Sequence, residues 1–183
     1  MSYFKFFVIF FFIYSFFLPV QSSQKNILDD LFNQLKKVNN SKTAELLEKK
    51  IWSTWNEHPN NIKLTEKLEF GTELMQYGDY DYALKVFNNI LLTDPEWPEA
   101  WNKRATTFFL MKRYTKSLSD IEKVLKIESR HFGALSGQAR IFIKLKKYEK
   151  AIGSLKKAVK IYPLFKSGEL IPQIERLIKE DSI

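Results

Sequence analysis

Apolar residues recur along most of the chain at helical spacing, and no stretch shows the alternation of apolar and polar residues that is typical of strands. Two apolar stripes precede residue 60, separated by a polar break at residues 39–41. Their members are Leu28, Leu31, Phe32 and Leu35 in the first, and Ala44, Leu47, Ile51, Trp52 and Trp55 in the second. The pattern predicts an all-α chain whose first two helices are amphipathic, with Ser41 as the N-cap of the second.

From residue 64 onward the same pattern returns at a constant interval, with Tyr80, Tyr114 and Tyr148 at one position of the repeat. A fixed period of about 34 residues is the mark of stacked helix pairs. It divides the chain into units at 64–97, 98–131 and 132–165. A weaker helix pair at 23–61 precedes them and a last helix in 166–183 follows, and we expect these to cover the two ends of the stack.

Small residues recur at two positions of each unit. The set in the first helices is Gly71, Ala105 and Ala139, and the set in the second helices is Ala83, Ser117 and Ala151. Small side chains allow two helices to approach to about 8–9 Å. We therefore expect the paired helices to cross at these positions, with large apolar side chains packed around each crossing.

The first 22 residues differ from the rest of the chain. Lys5 is followed by 13 uncharged residues, Phe6 to Leu18, and half of the 16 Phe lie before residue 23. One cation, a short apolar run and a small-residue ending are typical of a secretory signal peptide. We expect residues 1–22 to be a leader cleaved after Ser22, which predicts a periplasmic protein. The alternative is an inner-membrane anchor formed by residues 6–20.

Charge is unevenly distributed along the chain. Residues 23–97 contain 9 basic and 12 acidic side chains, whereas residues 98–183 contain 19 basic and 9 acidic side chains. A local excess of one sign indicates either an anionic partner or an ordinary solvated face. The basic C-terminal half is therefore a candidate surface for an anionic membrane.

Candidate chemistry is sparse. The chain has no Cys, which excludes disulfides and thiolate metal sites. Neither His58 nor His131 has a second His or a paired acid at the spacing of a metal site or a catalytic triad. The sequence therefore predicts a binding protein without a cofactor or metal, and not an enzyme.

One pattern of residues, together with the equivalent positions 34 residues away in the neighbouring units, carries a family resemblance. Its members are Trp101, Ala105, Phe108, Tyr114, Ser117 and Ile121. It resembles the tetratricopeptide repeat (TPR) family, strongly over residues 64–163 and weakly over residues 26–61. The resemblance implies a right-handed α-solenoid of three regular repeats, one degenerate N-terminal repeat and a C-terminal capping helix. With the leader, residues 101–106 and 130–137 resemble exported alphaproteobacterial TPR proteins, for which no particular activity is implied.

In this family, a concave groove lined by the first helices binds an extended peptide or a partner helix. By register, the resemblance places in that groove Leu68, Thr72, Met75, Asn102, Thr106, Phe109, Ser136, Arg140, Ile143 and Lys144. It implies that Asn102 holds a peptide amide and that Arg140 takes a carboxylate. Phe109 and Ile143 would receive an apolar side chain.

One subset of the family grips a C-terminal carboxylate with basic and Asn side chains at set positions of the first helices. Those positions here are Leu68, Thr72, Lys103, Gly133 and Gly137. Only Lys103 fits, so we do not expect a clamp of this kind.

Two functions follow from these observations. The preferred one is an exported protein–protein interaction module, a cell-envelope adaptor or assembly factor, that binds a peptide or partner helix in the groove. The alternative is an envelope-associated structural factor that its basic C-terminal half holds at an anionic membrane. Nucleic acid is not expected as a partner of an exported protein.

Overall fold

The computed structural model describes residues 20–180, so the predicted leader lies almost wholly outside the described residues. The helices are α1 Val20–Leu35, α2 Ser41–Asn56, α3 Ile62–Gln76, α4 Tyr80–Thr93, α5 Pro98–Leu110, α6 Tyr114–Ile127, α7 Phe132–Lys144, α8 Tyr148–Ile161 and α9 Leu170–Glu180, with a 3₁₀ turn at Lys166–Glu169. Residues 20–180 contain no strand. None of these helices combines the length and hydropathy needed to cross a bilayer.

Helices α3–α4, α5–α6 and α7–α8 form three hairpins with the same turn. One residue of each turn has a positive φ: Gly78 (87°), Lys112 (57°) and Lys146 (55°). The next residue donates a backbone hydrogen bond of 2.8–2.9 Å to the carbonyl five positions earlier. This bond is part of the Schellman arrangement that ends a helix and reverses the chain. The period of the sequence is thus a repeated backbone geometry.

The small residues lie at the helix crossings, as the sequence predicted. Ala83, Ser117 and Ala151 are all buried, at 0–1% exposure. At the first crossing, a Cβ added to Gly71 would lie only 2.7 Å from a ring carbon of Phe87. The three hairpins stack in order, because α4 packs on α5 and α6 packs on α7. The all-α solenoid predicted from the repeat is confirmed.

Replacing Ala151 with Leu should therefore destabilise the protein. Ala151 has no exposed surface, and the extra methylenes would push α8 from α7 at their crossing. We expect the free energy of unfolding to fall by about 1–3 kcal/mol, measured by urea denaturation. Gly153→Ala on the exposed side of α8 is the control, since a Cβ there meets open space and should stabilise the helix by about 0.5–1 kcal/mol. A neutral Ala151→Leu would contradict the tight crossing.

The last helix covers the end of the stack. Ile174 of α9 is buried against Ala151 and Leu155 of α8, with Leu170 and Ile171 beside it. Pro172 lies in the first turn of α9, where its missing N–H costs no helical hydrogen bond.

The N-terminal pair α1–α2 does not stack beneath α3 as we expected. Its apolar stripes pack instead on the third hairpin, where they form one core cluster with Phe132, Leu135, Ala158 and Tyr162. Arg130 pairs with Asp29 at 2.6 Å and Lys166 pairs with Glu45 at 2.9 Å. The pair therefore lies across the repeats. Its second helix is capped by Asn40, whose side chain accepts from the N–H of Thr43, and not by Ser41.

The surface of α3 explains this placement. The stacking face of α5 presents Ala100 and Thr107, and that of α7 presents Ala134 and Ile141; all four are buried. The matching positions of α3, one unit earlier in the chain, are Glu66 and Glu73, and both are exposed. A helix stacked on α3 would remove two carboxylates from water, which is costly without paired cations. The apolar stripes of α1 and α2 instead pack against Phe132 and Tyr162.

Candidate functional site

Helix α2 runs along the concave groove side of the stack and is held there by aromatic contacts. The ring of Trp55 stacks on His131 with centroids 4.0 Å apart and planes at 5°. The carbonyl of Trp55 accepts a 3.0 Å hydrogen bond from Nε1 of Trp97. Trp52 lies against Gly133, where any Cβ would overlap its indole ring. The chain thus occupies part of its own groove.

Tyr162 ties α2 to the end of α8. Its hydroxyl donates a 3.2 Å hydrogen bond to Oε2 of Glu48. Burial of the phenol and the negative charge of Glu48 raise the pKa of Tyr162 to about 12. The phenol therefore remains a hydrogen-bond donor at physiological pH.

A buried polar network lies beneath α2. Nδ1 of His131 accepts a 3.0 Å hydrogen bond from the N–H of Ala134 and so caps α7. The proton of the ring is therefore on Nε2, which donates to Oε2 of Glu99 at 3.0 Å. Both side chains have no exposed surface. The bond joins α5 to the start of α7.

Three groups stabilise the Glu99 carboxylate. Burial by itself raises the pKa of Glu99, but the His131 hydrogen bond and the Lys103 cation outweigh it, and the pKa lies below its usual value. Nζ of Lys103 lies 3.3 Å from Oε1, and the amide of Asn102 donates to the same oxygen at 3.0 Å. Among residues 20–180 no cluster of three His, Cys, Asp or Glu residues could hold a metal ion. The network is built to fix α5 and α7 in place.

Above this network, between α5 and α7, lies a cavity of about 320 Å³, here called the central cavity. Its apolar wall comprises Trp52, Ala105, Phe109, Ile121, Gly133, Ala134, Gly137, Ile141 and Phe165. Its polar residues are Asn102, Thr106, Ser117, Ser136, Arg140 and Ser167. Five of the ten predicted groove residues therefore lie together: Asn102, Thr106, Phe109, Ser136 and Arg140.

Most polar groups of the central cavity are already hydrogen-bonded within the chain. Ser117 donates to the carbonyl of Ala105 at 2.7 Å, and Thr106 donates to that of Asn102 at 2.9 Å. Ser136 and Ser167 share a 3.0 Å hydrogen bond. Arg140 differs, because it is exposed and has no hydrogen bond or ion pair with any described residue. It is therefore the cation available to a ligand.

Comparison with known proteins agrees with this fold. A family model described as anaphase-promoting complex, cyclosome, subunit 3 matches residues 76–158. A TPR repeat-containing protein of Rhizobium etli is 38% identical over 118 residues, which are 64% of this chain and 57% of that protein. The chain is thus similar in sequence to TPR proteins. It matches little more than half the length of this curated relative.

Solved TPR structures share the fold at low identity. The first TPR of Spaghetti (RPAP3), bound to an HSP90 peptide, has a TM-score of 0.61 at 21% identity. The match covers 66% of this chain and 96% of the RPAP3 chain. The Yersinia enterocolitica type III secretion chaperone SycD, in complex with a peptide of the translocator YopD, has a TM-score of 0.57 at 14% identity. This match covers 68% of this chain and 95% of the SycD chain.

The other predicted groove residues of this chain lie outside the central cavity. Leu68 is 1% exposed and belongs to the core between α3 and α4. Together with Thr72 it lines a separate cavity of about 500 Å³ between α2, α3 and α5. Met75 and Ile143 pack against core clusters, and Lys144 is exposed at the end of α7.

Sequence reasoning missed the residues that α2 and the C-terminal segment bring to the site. Trp52 was assigned only to packing, and Phe165 and Ser167 were not singled out, yet all three line the central cavity. One signal was available. Trp97, His131 and Phe165 share one position of successive units, each immediately before the start of a helical segment. A ring at this position of every unit indicates a continuous surface, and α1–α2 pack along it.

Proposed function

We propose that this TPR protein binds a short extended segment of a partner protein in the central cavity. The segment would insert one apolar side chain between α5 and α7 and place a neighbouring carboxylate on Arg140. The observation that carries this proposal is the gathering of Asn102, Phe109 and Arg140 around one open apolar cavity.

The size and position of the central cavity favour a short segment. A volume of about 320 Å³ is at the small end of ligand pockets, enough for one or two large side chains. Trp52 closes one end, because it is packed against Gly133 of α7. A long helix laid along the whole groove would collide with α2, so an extended peptide is the better fit.

The polar groups favour an acidic residue beside the apolar one. Arg140 has no partner among the described residues, and a guanidinium forms strong paired hydrogen bonds with a carboxylate. Asn102 uses its amide N–H on Glu99, which leaves its oxygen to accept from a backbone N–H of the ligand. Lys103 is held by Glu99, so the single clamp position that matched the carboxylate-gripping subset is already occupied.

Peptide complexes of the same fold support a peptide ligand. The RPAP3 domain is bound to an HSP90 peptide and SycD to a YopD peptide. The apolar run after Lys5 supports export, and we propose that the partner is a protein of the cell envelope.

A peptide selection on the purified protein tests this proposal. Peptides selected from a displayed random library should combine an apolar residue with Asp or Glu. Arg140→Gln should weaken their binding about tenfold or more, because a hydrogen bond to a charged group contributes about 1.5–3 kcal/mol. Lys144→Gln, one turn further along α7, removes the same charge outside the central cavity and should leave the Kd unchanged.

A second pair of variants tests the cavity itself. A Cβ at Gly137 would make an ordinary 3.7 Å contact with Ile121, so Gly137→Leu should fold and fill the space. We expect it to abolish peptide binding in isothermal titration, whereas Gly153→Leu on the outer side of α8 should not. Selected peptides that bind Gly137→Leu and Arg140→Gln as tightly as the wild type would place the ligand elsewhere.

A further inference from the structure

The exposed sides of α6 and α8, and the turns that precede them, carry basic residues in phase with the repeat. Five positions of the second and third units are basic in both: Lys112 and Lys146, Arg113 and Lys147, Lys116 and Lys150, Lys123 and Lys157, and Lys126 and Lys160. Lys156 adds an eleventh cation, and every one of these residues is exposed. We call this surface the lysine face.

The matching positions of the first unit are not basic. They are Gly78, Asp79, Tyr82, Asn89 and Leu92. The positive charge is therefore not a requirement of the repeat, because the first hairpin folds in the same way without it. A feature that is shared by two adjacent units and absent from the third belongs to the surface and not to the fold.

The charge of the lysine face is not neutralised within the described chain. None of its eleven cations forms an ion pair with a residue between 20 and 180. The acids nearest in sequence that remain exposed are Glu122 and Glu149, since Asp120 is bonded to Arg104 and Glu128 to Arg130. The second helices of two adjacent units thus present unneutralised cations to solvent.

Exposed leucines accompany the cations at the hairpin turns. Leu110 and Leu145, at 43% and 38% exposure, lie next to the basic turns of the second and third units. Apolar side chains flanked by lysines suit the boundary between lipid headgroups and acyl chains. A nucleic-acid surface would favour stacking aromatics instead, and none is exposed on this face, since Tyr114 and Tyr148 are half-buried.

We infer that the lysine face docks on an anionic bilayer. Ser117 and Ile121, on the buried side of α6, line the central cavity, whereas Lys116, Lys123 and Lys126 lie on its exposed side. A protein docked through the lysine face would therefore keep the central cavity open to solvent. Membrane docking and ligand binding use opposite sides of the same two hairpins.

Co-sedimentation of the full chain with vesicles tests this inference. The probes are phosphatidylcholine vesicles with and without phosphatidylglycerol, at low and high salt. Neutral vesicles measure any charge-independent binding, including that of the apolar run 6–18. We expect additional binding to the anionic vesicles that high salt abolishes, since lysines near such a surface act through screened electrostatics.

A matched pair of quadruple variants locates the surface. Lys123→Gln, Lys126→Gln, Lys157→Gln and Lys160→Gln together should weaken the anionic component by at least about tenfold. Lys36→Gln, Lys37→Gln, Lys49→Gln and Lys50→Gln remove the same charge from exposed positions of the N-terminal pair and its connecting turn, and should leave it nearly unchanged. Thermal unfolding should be the same for both, because all eight side chains are exposed.

Three results would overturn the inference. The first is the absence of a salt-sensitive component on anionic vesicles. The second is an equal loss of binding in both quadruple variants, which would reduce the effect to net charge. The third is binding of a duplex oligonucleotide with higher affinity than the vesicles and the same dependence on the α6 and α8 lysines, which would assign the face to nucleic acid.

Discussion

Replacing Trp55 with Ala should lower the free energy of unfolding by about 3–5 kcal/mol, measured by urea denaturation. The indole is 2% exposed, stacks on His131, and contacts Phe132 with centroids 5.1 Å apart. Removing it leaves a void between α2 and α7 that the rigid repeats cannot close. The N-terminal pair would lose its central anchor on the stack.

Trp101→Ala is the matched control for this prediction. Trp101 takes the bulky first-helix position of the second unit, but it is only half-buried, with Nε1 donating to the carbonyl of Pro95 at 2.8 Å. We expect a loss of about 1–2 kcal/mol, roughly half the value of a fully buried side chain. A Trp55→Ala variant no less stable than Trp101→Ala would mean that α1–α2 do not pack along the stack.

The part of the fold that repeats could be predicted in detail from the sequence. Three in-phase copies show which positions tolerate only small residues, and Ala83, Ser117 and Ala151 lie at equivalent crossings as expected. The three turns also share one backbone geometry, although only the first has a glycine at the residue with a positive φ. Lys112 and Lys146 adopt this left-handed conformation because the backbone hydrogen bonds that end the preceding helix hold them there.

The position of the N-terminal pair could not be predicted in the same way. Its apolar stripes fit any apolar surface, so the stripes alone do not select a partner helix. The deciding residues, Glu66 and Glu73, look like ordinary exposed acids of an amphipathic helix. They exclude a stacked neighbour only when compared in register with the buried Ala100 and Thr107. The information is present in the sequence as a difference between repeats.

The candidate site was predicted in part for the same reason. Asn102, Thr106 and Arg140 come from regular helices, and register alone places them around one cavity. Trp52 belongs to the N-terminal pair α1–α2, whose position was predicted wrongly, so its contribution to the central cavity was missed. The pairing of Glu99 with His131 follows no local spacing rule, because the two residues are 32 positions apart and meet only when α5 and α7 are stacked.

Replacing Glu99 with Ala should be as damaging as the loss of Trp55. The change leaves Nε2–H of His131 buried without an acceptor and removes the counter-charge of Lys103. An unsatisfied buried donor costs about 1–3 kcal/mol, and the deleted methylenes add about 0.8 kcal/mol each, so we expect a total loss of about 3–4 kcal/mol. Glu99→Gln keeps an oxygen for His131 in nearly the same place, and Lys103 is partly exposed and can turn to water. We expect this variant to lose only about 1–2 kcal/mol at neutral pH.

The difference in the free energy of unfolding between the wild type and Glu99→Gln should decrease as the pH falls. Because the folded protein lowers the pKa of Glu99, the ionised carboxylate favours the folded state above the pKa of an unfolded glutamate, about 4.3. That stabilisation is lost as the pH falls through the lower folded pKa. Urea denaturation from about pH 5 to about pH 3 should therefore show the wild type converging on Glu99→Gln. A gap that stays constant over this range would show that the carboxylate stabilises the fold only by its shape, and that the charge beneath α2 contributes nothing.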